Sequence, residues 1–200
     1  LFYRGSNGYS YAIAAGLEQA IEYIENLHFD KEDIDYLRSL NIFGEDFLKE
    51  LESFRFTGSL KAVPEGTLIF PNEPILTVIA PMFEAQLVET ALLNLINHQT
   101  LIATTASRLT ECTKANISEF GLRRAQGPDA GLYGARAAYI GGCRSTSNVL
   151  AGQMFGIEIK GTHSHSWVMS FPTELDAFEA YAKVYPDNCL LLVDTFDTLK

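Results

Sequence analysis

The feature that most constrains the fold lies after residue 115, where short apolar runs alternate with helical patterns. Ile117–Leu122, Ile157–Lys160 and Leu190–Val193 read as strands. Ala130–Ile140, Ser147–Met154 and the segment from Thr173 to Tyr185 read as helices. Thr173 with Asp176 resembles a capping box, although such boxes prefer Glu or Gln at the second position. Pro186 helps to stop that helix. Strands separated by helices at this spacing imply parallel pairing with crossover connections. No closing helix follows Leu190–Val193, so the pattern predicts a barrel begun here and not finished here.

The first hundred residues have a different rhythm. Between Tyr11 and Leu27, apolar residues recur at helical spacing (Leu17, Ala20, Ile21, Ile24), which predicts an amphipathic helix. Asp30 is placed to cap a second helix, with Glu32 and Asp33 in its first turn. A third helix is expected from about Glu45 to Phe54. Pro64-Glu65-Gly66 reads as a turn, flanked by strands at Leu68-Ile69-Phe70 and Ile75–Ile79, and Pro81 ends this β-rich stretch. From Phe83 to about Lys114 a strongly apolar helical pattern returns, with a break expected at the β-branched run Thr100–Thr105. The fold class is therefore α/β and α+β. An α+β region covers about residues 1–110, and the first βα units of an irregular parallel β/α barrel cover about 111–200.

Composition excludes several function classes. No run reaches 18 apolar residues, which argues against a membrane span. No basic stretch followed by an apolar one marks a leader, although the chain begins at Leu1 rather than Met, and a cytoplasmic protein is expected. A formal net charge of −10 argues against general nucleic-acid binding. That charge is uneven, because from 120 to 160 Arg123, Arg124, Arg136, Arg144 and Lys160 face only Asp129 and Glu158. A basic island in an acidic protein suits a small anionic ligand. Cys112, Cys143 and Cys189 are odd in number and widely spaced, so they read as buried reduced thiols rather than a disulfide framework or zinc site.

In a parallel α/β barrel, loops at the carboxyl ends of the strands build the active site. Four polar clusters fall at such ends: Arg123-Arg124, Arg144-Ser145-Thr146-Ser147-Asn148, Gly161 through Ser166 with His163 and His165, and Asp194 through Thr198. A helix N-terminus is expected near Ser147. Guanidiniums bind carboxylate or phosphate with a planar fork of donors. Hydroxyls and helix N-termini bind phosphate oxygens. Aspartates hold magnesium or ribose hydroxyls, and a neutral imidazole is a base or nucleophile. His28 and His98 lie outside these ends and read as structural.

Four segments carry a family resemblance. Glu119-Phe120-Gly121-Leu122-Arg123-Arg124-Ala125-Gln126-Gly127 resembles the signature strand and loop of nicotinate phosphoribosyltransferases. Gly141-Gly142 with Ser147-Asn148-Val149-Leu150-Ala151-Gly152 resembles the segment that follows. Gly161-Thr162-x-x-His165-Ser166 is similar to the loop carrying that family's phosphorylatable histidine, and Leu192-Val193-Asp194-Thr195-Phe196-Asp197-Thr198 to its next strand end. Earlier, Glu89-x-x-Leu92-Leu93-Asn94-Leu95, followed by Ile102-Ala103-Thr104, resembles a helix shared by the wider type II phosphoribosyltransferases. One departure lies near the start, where Arg4-Gly5-Ser6-Asn7-Gly8 lacks the proline expected before Ala15-Gly16-Leu17-Glu18. Another is that the family's amino-terminal aromatic segment and later glycine-rich phosphate loops are not among these residues.

The resemblance implies transfer of phosphoribosyl from phosphoribosyl pyrophosphate to nicotinate, coupled to ATP hydrolysis, in NAD biosynthesis, with magnesium on the pyrophosphate. It implies that Arg123 and Thr162 hold nicotinate with Ser166 beside it. It further implies that Arg124 and Asn148 contribute to substrate binding, that Asp194 and Thr195 contact ribose or the metal shell, and that His165 accepts the ATP γ-phosphate. Only His165 has the family offset from Gly161-Thr162, so a change at His163 is expected to leave phosphorylation largely in place. The family pairs head to tail as a homodimer with shared active sites. Two alternatives are a nicotinamide- or quinolinate-specific relative, and a truncated, inactive interaction module. An open parallel barrel exposes a strand edge, so residues 1–200 alone are expected to be poorly soluble or inactive.

Overall fold

A computed structural model describes residues 1–5 and 10–199. Of the Arg4–Gly8 segment that lacks the expected proline, the part from Ser6 onward lies outside the described residues. The first half contains β1 (Ala12–Ile13), α1 (Leu17–Asn26), α2 (Lys31–Ser39), α3 (Glu45–Glu52), β2 (Ser59–Ala62), β3 (Leu68–Ile69), β4 (Leu76–Ile79) and α4 (Met82–Glu111). The second half contains β5 (Ser118–Glu119), a 3₁₀ turn at Leu122–Arg124, α5 (Pro128–Ile140), β6 (Ser145–Thr146), α6 (Val149–Phe155), β7 (Glu158–Ile159), α7 (His165–Val168) and α8 (Glu174–Val184). No helix among the described residues is long and apolar enough to cross a membrane.

Helix α4 organises the chain, and it runs for 30 residues without the break expected at Thr100–Thr105. A threonine costs a helix about 0.7 kcal/mol or less against alanine, and here the hydroxyls offset that cost. β1 pairs antiparallel with β3 along one edge. Along the other, Thr104 Oγ1 accepts the Ile13 N–H at 2.9 Å, and Thr100 Oγ1 accepts the Ala15 N–H at 3.3 Å. Helix side chains thus stand in for a neighbouring strand. Val88, Leu92 and Ile96 of α4 pack with Ile24, Ile69 and Leu76 to form the main core.

The first helix starts at Leu17 rather than Tyr11, because Ala12–Ile13 joins the sheet and Gly16 turns the chain with φ 100°. A Cβ at Gly16 would stand 2.8 Å from the Leu95 carbonyl oxygen, so this close approach of backbones requires glycine. Gly16 has no side chain to cap α1, and Glu65 from the Pro64-Glu65-Gly66 turn supplies the acceptor. Its Oε1 takes the Gly16 N–H at 2.6 Å and the Leu17 N–H at 3.1 Å. Asp30 caps α2 as expected, accepting from Glu32 and Asp33 while Asp33 accepts the Asp30 N–H. Strand β2 is the unexpected element of this half. Ser59–Ala62 has little β propensity of its own, but its backbone pairs along the whole of β4.

In the second half, α5 lies against α4 through small residues. Ala103 and Ala106 meet Ala137, Ala138 and Gly141, where a Cβ would stand only 2.3 Å from the Ala103 carbonyl oxygen. Strands β5, β6 and β7 form a parallel sheet in that order, with α5 and α6 as the intervening helices.

Several expectations are corrected here. Only Ser118–Glu119 of Ile117–Leu122 is strand, and the chain then tightens into the 3₁₀ turn. Ser145–Thr146, read as a loop before a helix, is the central strand, buried although polar because its hydroxyls are satisfied. Ser145 Oγ lies 2.7 Å from Ser118 Oγ, and Thr146 Oγ1 donates to Glu119 at 2.7 Å. α6 begins at Val149, capped by Asn148, rather than at Ser147. Leu190–Val193 is not a strand, because the Leu192 N–H goes to a histidine ring instead of a ladder. α8 keeps its Thr173 cap, but Asp176 answers by accepting the Thr173 hydroxyl at 2.7 Å. The cysteines are reduced, yet only Cys143 is buried. Burial, followed by the nearby Glu119 charge, pushes its thiol pKa up.

Candidate functional site

The parallel register aligns Glu119, Thr146 and Ile159 across the three strands. The ladder continues at this carboxyl end, where Ser147 donates to the Glu119 carbonyl and Lys160 to the Thr146 carbonyl, both at 3.0 Å. The loops carrying Arg123-Arg124, Asn148 and Thr162 therefore leave the sheet at one end. The Glu119 side chain ties two of these loops together. One carboxylate oxygen accepts the Thr146 hydroxyl, and the other accepts the Gly121 N–H at the base of the arginine loop.

Arg123 and Arg124 are exposed on the 3₁₀ turn, and among the described residues neither guanidinium is paired with a carboxylate. The rest of the basic island divides, with Arg144 exposed. Lys160 pairs with Glu158 at 3.2 Å, and Arg136 is drawn into the fold. Its guanidinium reaches Glu65 at 2.7 and 2.9 Å, also bonds Glu18, and lies over the Phe155 ring. Burial pushes the Glu65 carboxyl up, but hydrogen bonds from Arg136 and from the Gly16 and Leu17 backbone outweigh it, holding the pKa below the usual carboxylate range.

Asn148 is buried, and its side chain is engaged in capping α6 through Ala151 at 3.2 Å. Thr162 is partly buried, with its hydroxyl on the His163 carbonyl at 2.9 Å. Ser166 is exposed, 2.9 Å from Ser164 Oγ, which caps the short α7. His165 opens α7, and it meets the last of the four clusters. Its Nδ1 lies 3.2 Å from Thr195 Oγ1, and its Nε2 lies 3.8 Å from Asp194. His28 and His98 hydrogen-bond the backbone carbonyls of Asn26 and Ala130. Among the described residues no three His, Cys, Asp or Glu side chains gather as a metal site. A cavity of about 590 Å³ opens between residues 1–5 and α4, touching none of these side chains.

His163, expected to matter little for phosphorylation, lies among Trp167, Phe178 and Tyr181 with ring centroids 5.2, 5.7 and 4.9 Å away. Its Nε2 accepts the Leu192 N–H at 3.2 Å. The aromatic spacing on α7 and α8 was the available signal, but nothing local tied it to residue 192.

Residues 1–97 match the model of the nicotinate phosphoribosyltransferase N-terminal domain. The chain is 50% identical over 204 residues to the nicotinate phosphoribosyltransferase of Bacillus subtilis, covering 100% of this chain and 41% of that protein. It is 48% identical over 194 residues to one from Mycobacterium tuberculosis, covering 96% of this chain and 42% of the relative. The crystal structure of human nicotinic acid phosphoribosyltransferase superposes with a TM-score of 0.89 at 32% identity, covering 98% of this chain and 50% of that one. The chain thus spans about two fifths of the length of these curated relatives. It belongs to the nicotinate phosphoribosyltransferase family.

Proposed function

We propose that the protein transfers phosphoribosyl from phosphoribosyl pyrophosphate to nicotinate, forming nicotinate mononucleotide and pyrophosphate with ATP hydrolysis, in NAD salvage. The observation that carries this reading is the pair of guanidiniums, Arg123 and Arg124, without a carboxylate partner among the described residues, at the same sheet end as the loop leading to His165. Arg123 and Thr162 hold the nicotinate carboxylate, with Ser166 beside the ring, and Arg124 and Asn148 contribute to substrate binding. A fork of two N–H donors fixes the orientation of a planar carboxylate as well as its charge. Asp194 and Thr195 contact ribose hydroxyls or the metal shell. The bond from nicotinate nitrogen to the ribose anomeric carbon forms as the bond to pyrophosphate breaks, so positioning and charge stabilisation dominate the catalysis.

Asp194 is an exposed hard-oxygen donor that fits a magnesium shell, but among the described residues no group of three His, Cys, Asp or Glu side chains gathers around it. The ion would be held mainly by substrate oxygens and water. When bound, magnesium neutralises charge on the leaving pyrophosphate. His165 accepts the γ-phosphoryl of ATP, with ADP leaving and water later releasing phosphate. The Nδ1 atom lies beside the Thr195 hydroxyl, and Nε2 stands 3.8 Å from Asp194. A cytoplasmic homodimer with shared active sites completes the proposal.

The test uses the full-length protein, γ-labelled ATP and peptide mapping of acid-labile phosphate. His165→Ala abolishes both the label and the stimulation by ATP. Label retained in that variant removes His165 from the role. Assays with nicotinate, nicotinamide and quinolinate fix the acceptor, and nicotinate is expected to be used in preference.

A further inference from the structure

We propose that His163 is a positioning residue: held among Trp167, Phe178 and Tyr181, its ring grips the Leu192 amide and so sets Asp194 and Thr195 against His165. The proposal rests on the reading of His165 as phosphate acceptor. It replaces the expectation that His163 is dispensable.

The two histidines of one loop grip one segment at two points. His163 Nε2 takes the Leu192 backbone N–H, and two residues further along His165 meets Asp194 and Thr195. The intervals are nearly equal, at 29 residues for the first pair and 30 for His165 with Thr195. The second grip alone is weak. The His165 and Asp194 side chains are half exposed and 3.8 Å apart, leaving one hydroxyl contact to hold an extended segment in register. Leu190–Val193 has no ladder to hold it either. The bond from Leu192 to His163 is what the structure offers in place of strand pairing.

The chemistry of the ring fits a fixed acceptor. A backbone N–H can only donate, so Nε2 must be bare and the single proton of the neutral ring sits on Nδ1. That nitrogen is buried and has no hydrogen-bond partner among the described residues. The neighbouring rings, with Tyr181 edge-on at 4.9 Å and 72°, offer it at most a weak N–H to π contact. A second proton would set an N–H against the Leu192 N–H. His163 is therefore built to accept one bond and to make no ligand contact of its own, whereas His165 stands exposed.

Three full-length proteins test this: wild type, His163→Phe and His163→Gln. Phenylalanine fills the aromatic cage without an acceptor, while the Gln carbonyl oxygen can reach the place of Nε2. Displacing reacting groups by about 1 Å costs up to about 100-fold in rate, so His163→Phe should slow labelling of His165 by at least about tenfold. His163→Gln should stay within about threefold of wild type, a rescue that loss of packing alone does not produce. Amide exchange at Leu192 should accelerate in His163→Phe only, because its acceptor is gone. Wild-type labelling of His165 alongside undiminished labelling in His163→Phe overturns the positioning role alone. So does a folded His163→Gln that falls as far as His163→Phe. A wild type carrying no label on His165 overturns the phosphohistidine reading, and this role falls with it.

Discussion

The two halves of the chain are held together by different means. In the first, large apolar side chains disappear from solvent, with Leu48, Ile69, Leu76 and Val88 at 2% exposure or less. In the second, the deeply buried residues are small or polar: Ala135, Ala137, Ala151, Ser145 and Thr146, with Val168 the large exception. Leu150, Met154, Leu175, Val184 and Phe196 are there more than half exposed. Exposed apolar residues such as Ile42 and Met82 occur in the first half too, so the contrast lies in what is buried. Cohesion in the second half comes from close backbone approach between α4 and α5 and from hydroxyl–carboxylate bonds at the sheet end. The candidate site is carried by this second half, which depends on the first through α4 and through Arg136.

The largest effect should come from breaking that dependence. Arg136→Met leaves Glu65 mostly buried without its cation, a loss of about 3–5 kcal/mol for a buried pair. Chemical denaturation of the full-length protein measures it, and a loss below about 1 kcal/mol means the halves do not lean on this pair. The pair also sets an acid limit. Glu65 has a folded pKa below its unfolded one, so its contribution is present above the usual carboxylate range and is lost as pH falls through the folded value. Glu65→Gln should therefore flatten the decline in stability on acidification, and an unchanged acid profile rules Glu65 out as a source of it.

Next comes a paired truncation. Leu76→Ala in the first core should cost about 3 kcal/mol. Leu190→Ala, at a residue 47% exposed, should cost less than about 1 kcal/mol. Equal losses would mean that exposure at residue 190 does not describe the full-length protein.

A smaller effect tests the site. Arg123→Lys keeps the charge but loses the fork, and the nicotinate KM should rise about tenfold, equivalent to about 1.4 kcal/mol. Unchanged nicotinate kinetics would remove Arg123 from the carboxylate.

What could be read from sequence follows the same division. Asp30, the turn at Glu65 and helix α3 announce themselves through local chemistry, and all appear where expected. After residue 115 the strands at β5 and β7 and the helices α5, α6 and α8 were legible in part, whereas β6 and α7 were missed and Leu190–Val193 was wrongly read as a strand. Ser145–Thr146 was not legible, since a strand buried through hydroxyl bonds carries no apolar signature. The threonines of α4 misled for a related reason: their partners, Ile13 and Ala15, lie 85 residues or more away. Arg136 looked like part of an anion site because its true partner, Glu65, is 71 residues off. At the candidate site, residue types marked the loop of His163 and His165 and the cluster at Asp194–Thr198, the family resemblance singled out His165, Asp194 and Thr195, and their meeting is a fact of three dimensions.

The smallest expected effect probes the comparison most finely. Each half has a helix with a side-chain cap: Asp30 on α2, with its reciprocal Asp33 bond, and Thr173 on α8, with Asp176. Removing either acceptor costs about 1 kcal/mol on average. Both caps are exposed, so neither substitution leaves a cavity. If the halves unfold as one cooperative unit, Asp30→Ala and Thr173→Ala lower the global midpoint alike. We expect them to differ. α2 and α3 share the Ile34–Leu48–Leu51 cluster, which meets Phe83 and Leu87 of α4, so loss of the Asp30 cap should register in global stability. α8 buries only Ala177 completely, so loss of the Thr173 cap should appear mainly as faster amide exchange along α8, with the global midpoint nearly unmoved. Hydrogen exchange on both variants of the full-length protein separates the cases. Equal midpoint shifts, with no local acceleration in α8, would show that the second half is held as firmly as the first despite its smaller buried side chains.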